Sequence, residues 1–198
     1  MRLIAGEAKG RRLHVPRGLH VRPSGARLRE SAFGILEHRD AIQGARVLDL
    51  FAGTGALGLE ALSRGARSLV AVEQDRRVAR LLGENAAACG FASRTEIRVQ
   101  PVRRALESFA GRARFDLVLM DPPYRRGQIG DVLVDLERFG VLRGGALVLV
   151  EHAREEDFEV SGGYERELDR RYGDSRLALL RSSAASTEGG ETTSHGST

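Results

Sequence analysis

The feature that most constrains the fold is a regular alternation of strand and helix patterns that begins near Ala45. Short apolar runs typical of buried strands occur at residues 46–51, 68–73, 96–99, 115–121 and 146–151. Helical patterns separate them, at residues 56–64, 74–89, 102–109 and 129–139. Gly65 and Gly90 follow the first two helical patterns as C-terminal stops. Because parallel strands need crossover connections of this kind, the alternation predicts an α/β domain with helices on both faces of a parallel sheet.

The segments outside this alternation complete the predicted organisation. Residues 164–171 and 176–181 flank a turn signal, which predicts an antiparallel hairpin at one edge of the sheet. Near the N-terminus, residues 2–5 and 11–15 predict a second hairpin, and a helical pattern follows from about residue 25 to residue 38.

We therefore expect three parts: an N-terminal extension over residues 1–44, one domain over residues 45–181 and a disordered tail over residues 182–198. The tail contains 12 Ser, Thr or Gly residues and nothing apolar larger than Ala. Such a composition cannot offset the entropy lost on ordering.

The positive charge of the chain is concentrated in the extension. The first 29 residues hold eight basic side chains against Glu7, a net charge of +7, whereas the whole chain carries +4. We interpret this segment as one that meets a polyanion; a basic arm that only keeps the chain in solution is the alternative. The candidate nucleic-acid-binding residues in it are Lys9, Arg11, Arg12, Arg22, Arg27 and Arg29.

Composition also excludes several classes of protein. No apolar run approaches the roughly 18 residues that a membrane helix needs. The first residues lack the apolar core of a secretory signal, so we expect a cytoplasmic protein with no membrane partner. Cys89 is the single cysteine and the five histidines lack metal-ligand spacing, so we expect neither a disulfide nor a metal.

A glycine-rich turn follows the first predicted strand. Gly53, Gly55 and Gly58 have the G-x-G-x-x-G spacing between a strand and a helix, and Glu73 at the end of the next strand can accept hydrogen bonds from ribose hydroxyls. This pattern fits either a dinucleotide or S-adenosylmethionine. Asp49 favours the second, because a carboxylate there is awkward beside a pyrophosphate but can hold a methionyl ammonium; a turn-capping role is the alternative.

The tetrapeptide Asp121-Pro122-Pro123-Tyr124 follows the fourth strand, at the sheet edge where the glycine turn also lies. An aromatic amino group is a poor nucleophile, because its lone pair is delocalised. Asp121 and the Pro122 carbonyl can each accept one N–H and aim that lone pair at a methyl donor. Tyr124 offers a ring on which an extruded base stacks, and Arg125 can contact a nearby phosphate. A Pro-Pro turn without chemistry is the alternative.

These motifs together resemble the RsmD family of bacterial 16S rRNA guanine-N2 methyltransferases. The resemblance spans roughly residues 1–181, and its motifs are RPS at 22–24, RLRESAF at 27–33, DLFAGTGALGLEALSRGA at 49–66 and DPPY at 121–124.

The resemblance implies a Rossmann-like, seven-stranded methyltransferase sheet with the basic hairpin and helix as an N-terminal extension. It implies S-adenosylmethionine as donor, S-adenosylhomocysteine as product and no metal. The target it implies is the exocyclic N2 of the guanine numbered 966 in 16S rRNA, in an assembled or assembling 30S subunit, and we expect a monomer. The candidate cofactor contacts are Asp49, Ala52, Gly53, Thr54, Gly55, Glu73, Gln74, Val102 and Asp121, and the candidate catalytic residues are Asp121, Pro122 and Tyr124.

Two positions depart from the family pattern. Ser24 stands where the family usually has Thr, and Gln100-Pro101-Val102 stands where many related enzymes have Asp or Asn to hold the adenine. We expect the Val102 backbone to contribute to adenine binding. The alternative functions are N6-adenine methylation of DNA, N5-glutamine methylation of protein, a nucleotide-binding oxidoreductase and a non-catalytic RNA-binding assembly factor.

Overall fold

A computed structural model describes residues 1–16, 23–112, 114–123, 127–160 and 162–183. The α-helices are α1 (Pro23–Glu37), α2 (Ala56–Ser63), α3 (Arg76–Ala88), α4 (Val102–Phe109) and α5 (Gln128–Arg138), and a 3-10 turn covers Ala92–Arg94. The strands are β1 (Arg46–Leu50), β2 (Ser68–Val72), β3 (Thr95–Arg98), β4 (Phe115–Met120), β5 (Leu142–Ala153), β6 (Tyr164–Tyr172) and β7 (Ser175–Ser182). The predicted alternation is confirmed, with small shifts at the ends of the elements.

The strands form one seven-stranded sheet in the order β3-β2-β1-β4-β5-β7-β6. Strands β1 to β5 are parallel to one another, and β7 pairs antiparallel with both β5 and β6. The chain order reverses between β1 and β4. Open α/β sheets bind ligands at the carboxyl ends of the strands at such a switch point.

Both faces of the sheet are buried at its centre, which explains why β1, β2 and β4 are continuous apolar runs rather than alternating ones. Leu117 and Leu119 of β4 belong to the core cluster that contains buried residues of α1, α2 and α3. Val118 and Met120, which point to the opposite face, belong to the cluster that contains buried residues of α4 and α5.

Two element boundaries differ from prediction for local reasons. Helix α3 begins at Arg76, because the Asp75 side chain caps it by accepting hydrogen bonds from the N–H groups of Arg77 and Val78. Strand β5 starts four residues earlier than predicted, because Leu142 pairs with Phe115 ahead of a register shift in β4.

The C-terminal hairpin lies at the sheet edge as predicted, with β6 outermost. The predicted start of the tail at residue 182 is wrong, because Ser182 belongs to β7 and pairs with Tyr164. The N–H of Ser183 also donates to the carbonyl of Gly163. The rest of the predicted tail, residues 184–198, lies outside the described residues.

The N-terminal extension is packed against the domain. Its hairpin contains one antiparallel bridge, between Arg2 and Arg12, and the N–H groups of Leu3 and Leu13 donate across it to Arg11 and Met1 carbonyls. Apolar residues of the hairpin and of α1 are buried in the same core cluster as α2 and α3; they are Leu3, Ala8, Leu13, Leu28, Phe33 and Leu36. The extension therefore shares the core of the domain.

Candidate active site

The glycine turn between β1 and α2 uses its glycines for two different purposes. Gly53 and Gly55 have positive φ angles of 54° and 89°, which favour residues without a Cβ atom. A Cβ at Gly58 would lie 2.7 Å from the Leu69 side chain and 2.9 Å from Asp49 Oδ2, so Gly58 permits close helix–strand packing. A Cβ at Gly53 would meet no atom within 4 Å, so the space beside Gly53 is open to a ligand.

Asp49 lies at the buried base of this turn. Its side chain is 1% exposed, and Oδ2 accepts a hydrogen bond from the Gly58 N–H at 2.8 Å. Burial raises the pKa of Asp49 to about 7, the Gly58 N–H opposes that rise, and the Glu73 carboxylate adds to it by repulsion. A cation placed next to Asp49 would therefore be stabilised.

Glu73, directly after β2, is held against the glycine turn. Its Oε2 accepts a hydrogen bond from the Gly53 N–H at 3.0 Å, and its Oε1 accepts one from the Asp75 N–H at 2.8 Å. These bonds orient the carboxylate at the edge where the turn opens. A carboxylate has about four acceptor positions, so two remain for the hydroxyls of a ligand.

The other candidate cofactor contacts surround this pair. The N–H groups of Ala52 and Gly55 already donate to the carbonyls of Val72 and Ala52. Gln74 is exposed just after Glu73, and Val102 is the first residue of α4. The N–H groups in the first turn of a helix have no partner within the helix, so the Val102 N–H can meet a ligand.

Asp121 and Pro122 continue directly from β4 at the switch point. Met120 pairs with Leu50 in parallel register, so Asp121 lies beside the start of the glycine turn. Pro122 is buried and Asp121 is exposed. The structure thus brings together Asp121, Pro122 and the glycine turn, whereas Tyr124 and Arg125 lie outside the described residues.

The predicted RNA-binding residues of the extension differ in their exposure. Lys9, Arg11, Arg12 and Arg27 are exposed, and Arg22 lies outside the described residues. The prediction for Arg29 is wrong. Its side chain is 7% exposed, its Nη2 donates to the Arg2 carbonyl at 2.9 Å, and burial lowers its pKa. Arg29 is part of the packing between α1 and the hairpin and cannot reach a phosphate.

Buried polar residues that the sequence analysis did not select hold the extension in place. The Glu60 carboxylate on α2 is fully buried and accepts hydrogen bonds from the N–H groups of Ile4 and Ala5, at 2.8 and 3.0 Å. Ser63 accepts from the Ala8 N–H, and Asn85 on α3 binds the backbone of His14. A charged residue within the apolar α2 sequence is the signal that points to Glu60.

Among the described residues, no helix is long and apolar enough to cross a membrane. Within the same ranges, no group of three His, Cys, Asp or Glu side chains is arranged to hold a metal ion.

The strand order, together with Asp121 beside the glycine turn, defines the class: these are the features of S-adenosylmethionine-dependent methyltransferases. A family model described as Conserved hypothetical protein 95 matches residues 1–181. The chain therefore belongs to this family, the RsmD family.

Individual relatives agree with this assignment. The chain is 38% identical to Ribosomal RNA small subunit methyltransferase D of Escherichia coli over 152 residues, which cover 76% of this chain and 74% of the relative. It is 34% identical to the Haemophilus influenzae protein of the same name, over 76% of this chain and 78% of that one. The solved structure of yhhF from Escherichia coli matches with a TM-score of 0.80 at 33% identity, covering 93% of this chain and 99% of the other.

Proposed function

We propose that this chain transfers a methyl group from S-adenosylmethionine to the exocyclic N2 of a guanine in 16S rRNA. The expected target is position 966 in an assembled or assembling 30S subunit in the cytoplasm, and the expected active form is a monomer. The observation that carries the proposal is the position of Asp121 and Pro122, one strand away from a glycine turn with two acidic neighbours. The relatives named Ribosomal RNA small subunit methyltransferase D support rRNA as the substrate class.

The residues around the glycine turn fit S-adenosylmethionine. Asp49 is a buried carboxylate that a methionyl ammonium would stabilise in its charged form, and Glu73 keeps acceptor positions for the ribose hydroxyls. The open side of Gly53 leaves room for the ligand, and the N–H of Val102 can donate to an acceptor on the adenine. When bound, the cofactor supplies an electrophilic methyl group on a sulfonium centre.

Asp121 and Pro122 are proposed to prepare the amino group. The Asp121 carboxylate accepts one N–H and the Pro122 carbonyl accepts the other, so the nitrogen lone pair is directed out of conjugation and towards the methyl group. The proton leaves the nitrogen after transfer, which requires no metal. Tyr124 remains a prediction as the ring on which the flipped base stacks.

The exposed basic residues of the extension are proposed to contact the rRNA backbone. Lys9, Arg11, Arg12 and Arg27 have side chains at the surface, where phosphate contacts position an RNA without reading its sequence. Arg22 and Arg125 remain predictions for the same role.

Incubating the protein with a labelled methyl donor and undermethylated small subunits tests this proposal. Wild type should label one guanine, and Asp121→Ala should lower kcat by at least about 100-fold, because it removes a group that positions the nucleophile. Asp131→Ala, which removes an exposed carboxylate on α5, is the matched control and should retain wild-type activity. An equally active Asp121→Ala variant would overturn the catalytic assignment.

Digesting the labelled rRNA to nucleosides distinguishes the remaining possibilities. N2-methylguanosine supports the proposal, whereas N6-methyladenosine would assign the site to adenine. Calorimetric titration with S-adenosylhomocysteine and with NADH separates a methyltransferase from an oxidoreductase, and subunit binding without turnover would indicate an assembly factor.

A further inference from the structure

Asn85 is a fully buried polar side chain on the inner face of α3, among the apolar residues of the core. Its Oδ1 accepts a hydrogen bond from the His14 N–H at 2.7 Å. Its Nδ2 donates to the His14 carbonyl at 2.9 Å and to the Thr54 carbonyl at 3.0 Å. Both amide protons and the amide oxygen are therefore engaged.

These three bonds join two segments that have different proposed roles. His14 belongs to the end of the basic hairpin, and Thr54 lies between Gly53 and Gly55 in the proposed cofactor turn. Asn85 binds both the N–H and the carbonyl of His14, as the backbone of a neighbouring β-strand would. The bond to Thr54 fixes the carbonyl between two residues with left-handed backbone angles.

Other residues of the hairpin are hydrogen-bonded to α2, the helix that follows the turn. Glu60 and Ser63 on α2 bind the backbone of Ile4, Ala5 and Ala8, and α2 starts directly after Gly55. The hairpin therefore bridges α2, which follows the turn, and α3, which contacts the turn through Asn85. Asn85 connects the turn directly to His14 through one buried side chain.

We infer that Asn85 is a positioning residue that couples docking of the basic hairpin to the conformation of the cofactor turn. Ligand binding at the turn holds the Thr54 carbonyl in place, which keeps Asn85 oriented towards His14. Because such coupling is reciprocal, a docked hairpin also favours the ligand-binding form of the turn. The inference rests on the proposed function, since it takes the turn as the cofactor site and the hairpin as the RNA-contacting segment.

Hydrogen exchange of the segment containing His14, with and without saturating S-adenosylhomocysteine, measures this coupling directly. In wild type the ligand should slow exchange by about fivefold or more, the lower range of ordinary allosteric coupling. In Asn85→Ala the ligand should leave exchange in this segment unchanged, because the connection is absent. Asn85→Leu, which has the same number of side-chain heavy atoms but neither donors nor an acceptor, should give the same result without leaving a cavity.

A matched destabilised variant separates coupling from general loosening. Leu133→Ala creates a cavity on α5, in the core cluster on the opposite face of the sheet. It should raise exchange broadly and yet retain the ligand-dependent slowing at His14. A ligand effect of wild-type size in Asn85→Leu would overturn the inference.

The outcome is distinguishable from that of the proposed function, because no RNA is present in the exchange experiment. Ligand-dependent slowing in a wild-type protein that fails to methylate small subunits would overturn the proposed function and support the coupling. Methylation of subunits together with an unchanged exchange rate on ligand binding would overturn the coupling alone.

Discussion

Asp49→Asn tests the electrostatics of the buried base of the glycine turn. The structure places this carboxyl out of contact with water, with a pKa raised from 3.8 to about 7 mainly by burial. The difference between the two values corresponds to about 4 kcal/mol of differential stabilisation of the protonated form. An asparagine keeps an oxygen to accept the Gly58 N–H but has no charge to desolvate.

The direction in which stability changes with pH depends on whether Asp49 holds its proton more tightly in the folded or in the unfolded state. Because the folded state raises the pKa of Asp49, the stabilisation from its protonated form is fully present below about pH 4 and is lost as the pH rises through about 7. The other ionisable groups are common to both proteins, so their contributions cancel in the comparison. The free energy of unfolding of Asp49→Asn minus that of wild type should therefore increase by about 4 kcal/mol between these pH values.

Urea unfolding followed by circular dichroism at several pH values measures this difference, with the slope m compared between the two proteins to check that both unfold in the same way. The affinity for S-adenosylhomocysteine, measured by titration, should change with pH in the opposite direction to the stability of wild type. Wild-type affinity should rise with pH up to about 7, because a ligand ammonium favours the ionised carboxylate, whereas the affinity of the variant should lack this rise and be weaker than that of wild type near pH 7. A stability difference that is constant across the pH range would refute the reasoning.

Three further predictions concern the extension. Replacing three exposed basic residues with alanine should weaken binding to small subunits, lower the slope of log affinity against log salt by about two, and leave thermal stability unchanged; the residues are Lys9, Arg11 and Arg12. Arg29→Lys should instead lower the melting temperature and leave the salt slope as in wild type, because its guanidinium is buried; a reduced slope in this variant would contradict that placement. Gly6→Ala should destabilise the protein by about 2–4 kcal/mol in urea unfolding, because a residue with φ of 81° would gain a Cβ that overlaps the Ser63 carbonyl. A stability equal to wild type would show that the hairpin is not held against α2.

Local patterns in the sequence were sufficient to predict most of the elements. The apolar runs of β1, β2 and β4 are continuous because helices cover both faces of the sheet, and the stops at Gly65 and Gly90 have the positive φ angles that such ends require. The glycine turn and Asp121 follow neighbouring strands, so their proximity could be inferred from chain order and parallel pairing alone.

The direction of a charged side chain could not be inferred from charge counts. Arg27 and Arg29 lie two residues apart in one basic segment, yet the first is exposed and the second is buried. The helical spacing of Arg29 with the buried residues Phe33 and Leu36 is the signal that would have separated them.

The sequence by itself determined the periodicity of the elements, the glycine turn and the chemistry available at the strand ends, because these depend on residues close together in the chain. Only the tertiary structure decided which backbone groups the buried polar residues satisfy. Glu60 binds residues more than 50 positions away, and Asn85 binds His14 across 71 positions. A buried polar group must find a partner wherever folding places one, and that position is a property of the packed chain rather than of any local pattern.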